Sequence, residues 1–338
     1  MKITLLSFVV SGIMASMTLT TPQAALAADK LIIAHRGASG YLPEHTLAAK
    51  ALAHSMNPDY IEQDVVLTKD GVPVVLHDHY LDTVTDVAKK FAARKRDDGR
   101  YYAIDFTLAE IKTLKAFERI DLKTGKQVFP NRFPSGQSDF SVPTLEEELE
   151  LIKGLNKSTG KTIGIYPEIK APAFHRSEGQ DISKVVLSVL KKHGYAEKDD
   201  PVYVQCFDWN ETQRIRLELG YQGKLIQLIA ENSWNESPNV DFDALRTKQV
   251  LVEIGKIADG IGPWVSHVIS GDGTPTDLVA NAHAAGLALH PYTLRADALP
   301  EWAKTHDEAM DAILFKAGAD GLFTDFPDLA VNYLQTRP

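Results

Sequence analysis

Short apolar runs alternate along the chain with segments of helical spacing. Runs that read as strands begin at Leu31, Tyr60, Ile163, Val202, Lys224, Gly260, Leu287 and Asp320. Between them, 43–56, 144–155, 181–193, 211–219, 243–257, 276–285 and 307–317 carry helical spacing, and 328–334 closes the series. In the first of these, Leu47, Ala51 and Leu52 share a face, Pro43 suits a first turn, and Glu44 suits the positive end of the helix dipole there. Thr144-x-x-Glu147 has the form of a capping box, and Gly194, Gly220 and Gly286 stand where helices should stop.

Eight strands, most followed by a helix, predict an α/β fold of the (β/α)8 TIM-barrel type. A doubly wound open sheet is disfavoured because no Gly-x-Gly-x-x-Gly turn follows the first strand. The regular alternation fails once. After the second strand a short extended run, 72–76, leads into a polar, charged stretch, 80–142, which reads as an insertion in a βα loop. Its charge cluster, 89–100, reads as a solvated face because Asp97 and Asp98 interrupt it. No low-complexity linker divides the chain, so 28–338 reads as one domain.

The first residues carry a different pattern. Lys2, an apolar stretch over 3–19 and Ala25-Leu26-Ala27 follow the order of a secretory signal peptide, assigned to 1–27. Ser7, Ser11, Gly12 and Ser16 interrupt the apolar run, which disfavours a membrane anchor. The expectation is an exported, periplasmic protein with no membrane anchor after cleavage. With 44% hydrophobic residues the chain can bury a sizeable core, which excludes global disorder. A net charge of −9 argues against nucleic acid as a partner. A single cysteine excludes a disulfide scaffold and cysteine-built zinc sites; Cys206, beside Val204 and Phe207, reads as buried and inert.

The candidate chemistry lies at strand ends. His35 and Arg36 end the first strand, and Glu62 and Asp64, two apart in the second, point to one face. Glu168 and Lys170 repeat that spacing in the third, and His77 ends the run between them. A barrel gathers the carboxyl ends of its strands around one mouth. Three carboxylates gathered there repel one another unless protons, Arg36 and Lys170, or a hard divalent cation offset them. A cation, an arginine, a lysine and two histidines together suit a phosphate ester. Gln205, Phe207, Trp264 and Tyr292 are candidate pocket residues, and an aromatic among them could contact a choline cation. Asp325, at the last strand end, reads as a possible loop anchor.

The stretch from His35-Arg36-Gly37 through Pro43-Glu44-His45-Thr46 resembles the opening motif of glycerophosphodiester phosphodiesterases. Glu62-Gln-Asp64, His77-Asp78, Pro167-Glu168-Ile169-Lys170 and Gly321-Leu-Phe-Thr-Asp325-Phe-Pro327 follow in that family's order. Segments 101–108 and 164–171 resemble its bacterial periplasmic branch. The resemblance implies a phospholipase C-like barrel that splits glycerophosphodiesters, such as those of choline and ethanolamine, into glycerol 3-phosphate and an alcohol. It implies metal ligation by Glu62, Asp64 and Glu168, acid–base roles for His35 and His77, and phosphate contacts from Arg36 and Lys170. The periplasmic branch uses Ca2+ and other branches Mg2+. His45 stands where the family commonly has Asn, which points to a structural role at the helix start.

The expected route has His35 deprotonating the glycerol hydroxyl beside the phosphate, closure to a cyclic phosphate, and His77 protonating the alcohol; the two roles could be exchanged. An exported glycerophosphodiester-binding protein and a phospholipase acting on intact lipids stay open as alternatives. The 80–142 stretch is expected to wall one side of the mouth.

Overall fold

The computed structural model describes residues 30–337; the 1–27 segment lies outside them. Nine strands form one sheet: β1 Leu31–Ala34, β2 Tyr60–Leu67, β3 Pro73–Val75, β4 Gly164–Ile169, β5 Tyr203–Cys206, β6 Lys224–Ile229, β7 Gly260–Pro263, β8 Ala288–Leu289 and β9 Gly321–Thr324. All but β3 run parallel, in the order β8-β7-β6-β5-β4-β2-β1-β9. The Phe323 amide donates to the Pro291 carbonyl at 3.0 Å and the Leu294 amide to the Phe323 carbonyl at 2.9 Å, which closes the ring. The result is the expected eight-stranded α/β barrel.

Alternation along each strand sorts its residues. Ile32, Ile61, Ile165, Val204, Leu225, Ile261, Leu289 and Leu322 face outward into the helix layer, in two apolar clusters. Their neighbours Ile33, Tyr166, Ile226 and Phe323 face inward and fill the barrel together with Tyr60 and Tyr203. The Tyr166 and Tyr203 rings stack with centroids 4.9 Å apart, and the Tyr166 hydroxyl meets His290 Nδ1 at 2.9 Å. This packed aromatic layer is the floor on which the mouth of the barrel rests.

Several helices form where the spacing predicts them. Leu145–Thr159 begins at Thr144 with a complete capping box, and Ile182–Lys192 begins at Asp181, which accepts from the Lys184 amide. Other expectations need correction. The first helix is Leu47–Ser55, capped by Thr46, not 43–56. Pro43–His45 form a turn instead, because His45 takes a left-handed backbone (φ 60°). That helix buries Ala49, Lys50, Ala53 and His54, not the Leu47 face, because Lys50 has polar partners in the interior. Segment 243–257 is two short helices, Phe242–Leu245 and Lys248–Ile254, with Thr247 capping the second. The eighth strand is shorter than 287–293 because Pro291 has no amide to donate.

The insertion packs as a small layer of its own. Leu81, Val84, Val87, Phe106, Ile111 and Leu114 bury one another against Val66 of β2 and Val74 of β3, which pairs antiparallel to β2. The 89–100 cluster is not simply a solvated face. Arg94, Arg96 and Arg100 pair with Glu110, Asp105 and Asp82, and their guanidinium groups lie 4.4, 4.1 and 3.7 Å from the ring centroids of Phe106, Tyr102 and Tyr80. Charge alternation in the sequence conceals these pairings because the partners are remote in the chain.

Candidate active site

The inward-facing residues one step above the aromatic floor form the mouth. Asp64 lies opposite Glu168, and Glu168 opposite Gln205, in the register of three adjacent parallel strands. Glu62 stands two residues before Asp64 on the same face. One carboxylate oxygen from each of Glu62, Asp64 and Glu168 lies within 4.8 Å of the others, and all three side chains are buried. His35, Arg36, His77, Gln205, Phe207, Trp264 and Tyr292 line the same cavity of about 230 Å³. Strand alternation thus converts scattered i, i+2 pairs into one constellation.

Burial of like charges shapes the electrostatics. Burial, and then the Asp64 charge, push the Glu62 carboxyl up to about 8. Burial raises Glu168 well above the usual carboxylate range, offset in part by Lys170. Burial alone would raise Asp64 as well, but His45 holds it well below that range, its Nε2 2.7 Å from Asp64 Oδ2. His45 therefore does more than start a helix: its left-handed backbone aims the ring at a site carboxylate. Behind it, Lys50 Nζ sits 3.1 Å from His45 Nδ1 and 3.1 Å from Glu148, in a fully buried file. Asp64 Oδ1 is buried with no hydrogen-bond partner. An all-oxygen trio with an unpartnered oxygen suits a hard cation such as Ca2+ or Mg2+, so these three residues can hold a metal ion.

Each cavity histidine is oriented by an aspartate. His35 Nδ1 lies 2.5 Å from Asp325 Oδ1, and its Nε2 faces the carboxylates, 3.8 Å from Glu62. His77 Nδ1 lies 2.7 Å from Asp78 Oδ1. An ionised carboxylate at Nδ1 places the proton on that nitrogen and leaves Nε2 free for proton exchange. Burial, followed by the charge of Arg36, lowers the His35 pKa to about 4, while Asp325 opposes the fall. Burial and Arg36 also lower His77.

Arg36 occupies the left-handed region (φ 57°), which lets its amide donate to Glu62 Oε2 at 2.9 Å while its Nη1 donates to Glu44 at 3.0 Å. Its Nε is buried, 3.7 Å from Asp64, without a hydrogen-bond partner. Gln205 Nε2 donates to Glu62 Oε1 at 3.0 Å and its Oε1 is unpartnered. Lys170, named by sequence as a phosphate contact, lies outside the cavity lining. Its Nζ is held between Glu168 at 2.9 Å and Glu236 at 3.1 Å. Cys206 is buried, as its neighbours imply.

Sequence reading missed Trp234, Glu236 and Arg295, which also line the cavity, and Arg119 and Arg132, which reach Asp78 and Asp325 from the insertion. All five sit outside the strands and α-helices, in segments without hydrophobic periodicity, Trp234 in a single 3-10 turn. Asp78 was visible beside His77, but only its contact gives it a purpose.

The glycerophosphoryl diester phosphodiesterase family model matches residues 35–329. The chain is 48% identical to a glycerophosphodiester phosphodiesterase of Haemophilus influenzae over 99% of both chains. It is 42% identical to one of Treponema pallidum, covering 92% of this chain and 93% of that one. Among solved structures, an Oleispira antarctica phosphodiesterase in complex with the product sn-glycerol-3-phosphate superposes with a TM-score of 0.62 at 21% identity. That match covers 90% of this chain and 97% of the other. The buried trio and paired histidines at the mouth of this barrel thus stand within a match that runs nearly end to end, and the chain belongs to the glycerophosphoryl diester phosphodiesterase family, as an enzyme of that activity.

Proposed function

We propose that this enzyme acts on small, deacylated glycerophosphodiesters with cationic alcohols, such as choline or ethanolamine, and releases glycerol 3-phosphate. The observation that carries the reading is the single cavity shared by two aspartate-oriented histidines, an unpartnered arginine nitrogen and three buried carboxylates. About 230 Å³ suits a small diester and is tight for a diacyl lipid. Product binding by the Oleispira antarctica relative supports glycerol 3-phosphate as the retained half. Phe207, Trp264 and Tyr292, with Trp234 and the Glu236 carboxylate, give the cavity an aromatic and acidic side suited to an ammonium group.

Glu62, Asp64 and Glu168 would hold the metal, Ca2+ with Mg2+ as the alternative. When bound, the cation supplies Lewis-acid stabilisation of charge on the phosphoryl group. Arg36 Nε donates to a phosphoryl oxygen, and Gln205 Oε1 accepts from a substrate hydroxyl. His35 Nε2 takes the proton of the glycerol hydroxyl beside the phosphate as that oxygen closes on phosphorus. His77 Nε2 gives a proton to the departing alcohol oxygen, and Asp78 stabilises the imidazolium it starts from. The two histidines then exchange roles as water opens the cyclic phosphate. Lys170 offsets the charge of Glu168 from outside the lining. The 1–27 pattern supports a periplasmic location.

The test is coupled detection of glycerol 3-phosphate from glycerophosphocholine, with calcium, with magnesium and after chelation. Turnover should need the cation, and an analogue lacking the hydroxyl beside the phosphate should react at least about 100-fold more slowly. Rapid turnover of that analogue would rule out the cyclic route. Equal rates on diacyl phosphatidylcholine would rule out the deacylated substrate class.

A further inference from the structure

The 80–142 insertion contributes no residue to the cavity lining, yet two of its side chains end beside the catalytic histidines. Arg119 Nη1 donates to Asp78 Oδ2 at 2.6 Å, while Asp78 Oδ1 takes His77 Nδ1. Arg119 is fixed from behind by Glu44, which it meets through Nε at 3.0 Å and Nη2 at 2.6 Å. The same Glu44 accepts from Arg36. Arg132 repeats the arrangement at the other histidine. Its Nη2 donates to Asp325 Oδ2 at 2.7 Å, while Asp325 Oδ1 takes His35 Nδ1. Arg132 is fixed by Asp297 through Nε at 2.8 Å and Nη2 at 3.0 Å, and by the Ser39 carbonyl at 3.2 Å.

We propose that the insertion is a positioning device in which Arg119 and Arg132 act through Asp78 and Asp325 to set the two catalytic histidines. This rests on the acid–base reading of His35 and His77 but not on which is acid and which is base. The guanidinium suits the task. Its planar fork fixes one carboxylate oxygen while the other stays free for the imidazole, and a second carboxylate holds the fork rigid. Without it, the aspartate can rotate and the imidazole loses its fixed tautomer and aim. Asp325 has a second support, Arg295 Nε at 2.9 Å, whereas Asp78 has Arg119 and the Thr83 hydroxyl, at 3.1 Å. Arg119 should therefore matter more than Arg132.

The experiment measures kcat and KM of the full, calcium-loaded chain on glycerophosphocholine and on the 4-nitrophenyl ester of glycerol 3-phosphate. The variants are Arg119→Gln, Arg119→Lys, Arg132→Gln, His77→Ala, His35→Ala and the doubles R119Q/H77A and R132Q/H35A. Arg119→Gln should lower kcat about 100-fold on the choline ester with KM changed less than about threefold, on the scale of losing a supporting hydrogen bond to an active-site ligand. Lysine at 119 should restore part of the loss. Each double should match its histidine single within about threefold, because the arginine has nothing left to act through. The nitrophenyl ester has a good leaving group, so its rate hardly needs the acid. Arg119→Gln should spare that ester to the extent that His77→Ala does.

Losses that multiply in the doubles would overturn the proposal, as would Arg119→Gln behaving as the native enzyme. A ratio of losses on the two esters unlike that of His77→Ala would also overturn it. If His35→Ala rather than His77→Ala spares the nitrophenyl ester, the acid and base roles of the previous section are exchanged while the positioning role stands. Should Arg119→Gln fail to fold, Thr83→Val with Asp78→Asn applies the same comparison from the other side of the aspartate.

Discussion

A carboxylate in the mouth is held from two directions, and the residues doing so are separable. Asp64 is positioned by His45, and His45 by Lys50, which also donates to the Glu62 carbonyl and pairs with Glu148 in a fully buried ion pair. Lys50→Met should destabilise the fold by about 3 kcal/mol in urea unfolding, because Glu148, which burial already pushes up to about 7, loses its buried counter-charge and must take up a proton, and adding Glu148→Leu should recover most of that. Asp64→Asn and Glu168→Gln act at the other end. Each should weaken calcium binding at least about tenfold by calorimetry; in the calcium-free protein Glu168→Gln should leave the melting temperature equal or raise it, since burial disfavours that charge, whereas Asp64→Asn should lower it, since His45 stabilises the ionised carboxylate. A fall in stability with unchanged affinity would remove these residues from the metal trio.

Among elements, the turn before the first helix carries unusual backbone demands. Arg36, Gly37 and His45 all have positive φ, and a Cβ on Gly37 would lie 2.9 Å from the Ala49 backbone, inside the helix Leu47–Ser55. Gly37→Ala should therefore push that helix away from β1, lower the melting temperature and reduce kcat even though residue 37 bears no reactive group; a variant with native kcat would show that the turn does not set Arg36. The sequence carries this element only in part. Period-2 and period-3.6 spacing record which residues face the core, so strands and the Thr144 cap are legible, and so are His35, Glu62, Asp64 and Glu168 as inward strand-end residues. Spacing does not record a left-handed turn occupied by His45, nor the buried face chosen by Lys50, because both follow from contacts with β2 and with a helix about a hundred residues away. Arg119 and Arg132 were illegible for the same reason. In the sequence they are two arginines among many in a charged stretch, and only the folded insertion brings each to an aspartate.

For the whole molecule, buried acids of opposite behaviour set the pH range. Burial would raise Asp78, Asp325 and Glu44, but Arg119, Arg295, Arg36 and the histidines hold all three well below the usual carboxylate range. Their contribution to stability is present above the unfolded value of about 4 and is lost as pH falls through the depressed values. Glu118 runs the other way. Burial, then Glu44, push its carboxyl up to about 8, and one of its oxygens is buried without a partner. Its contribution is full below the unfolded value of about 4.3 and is lost as pH rises through about 8. Glu118→Gln should leave the melting temperature at pH 5 nearly unchanged and raise it at pH 8 to 9, measured by calorimetry. A parallel shift at every pH would assign the effect to packing.

Closure of the ring has a consequence for the timing of activity. β9 pairs with β1 along its whole length, Leu31 against Gly321 through Ala34 against Thr324, and Asp325 just beyond it is the residue that holds His35. The first and last strands thus meet late, because the chain must join segments separated by almost its full length before either edge is satisfied. A growing polypeptide carries Glu62, Asp64 and Glu168 long before it carries Asp325. The hydrolytic site therefore comes into being as the final step of assembly, and a chain still emerging from a ribosome is chemically silent toward the diesters around it.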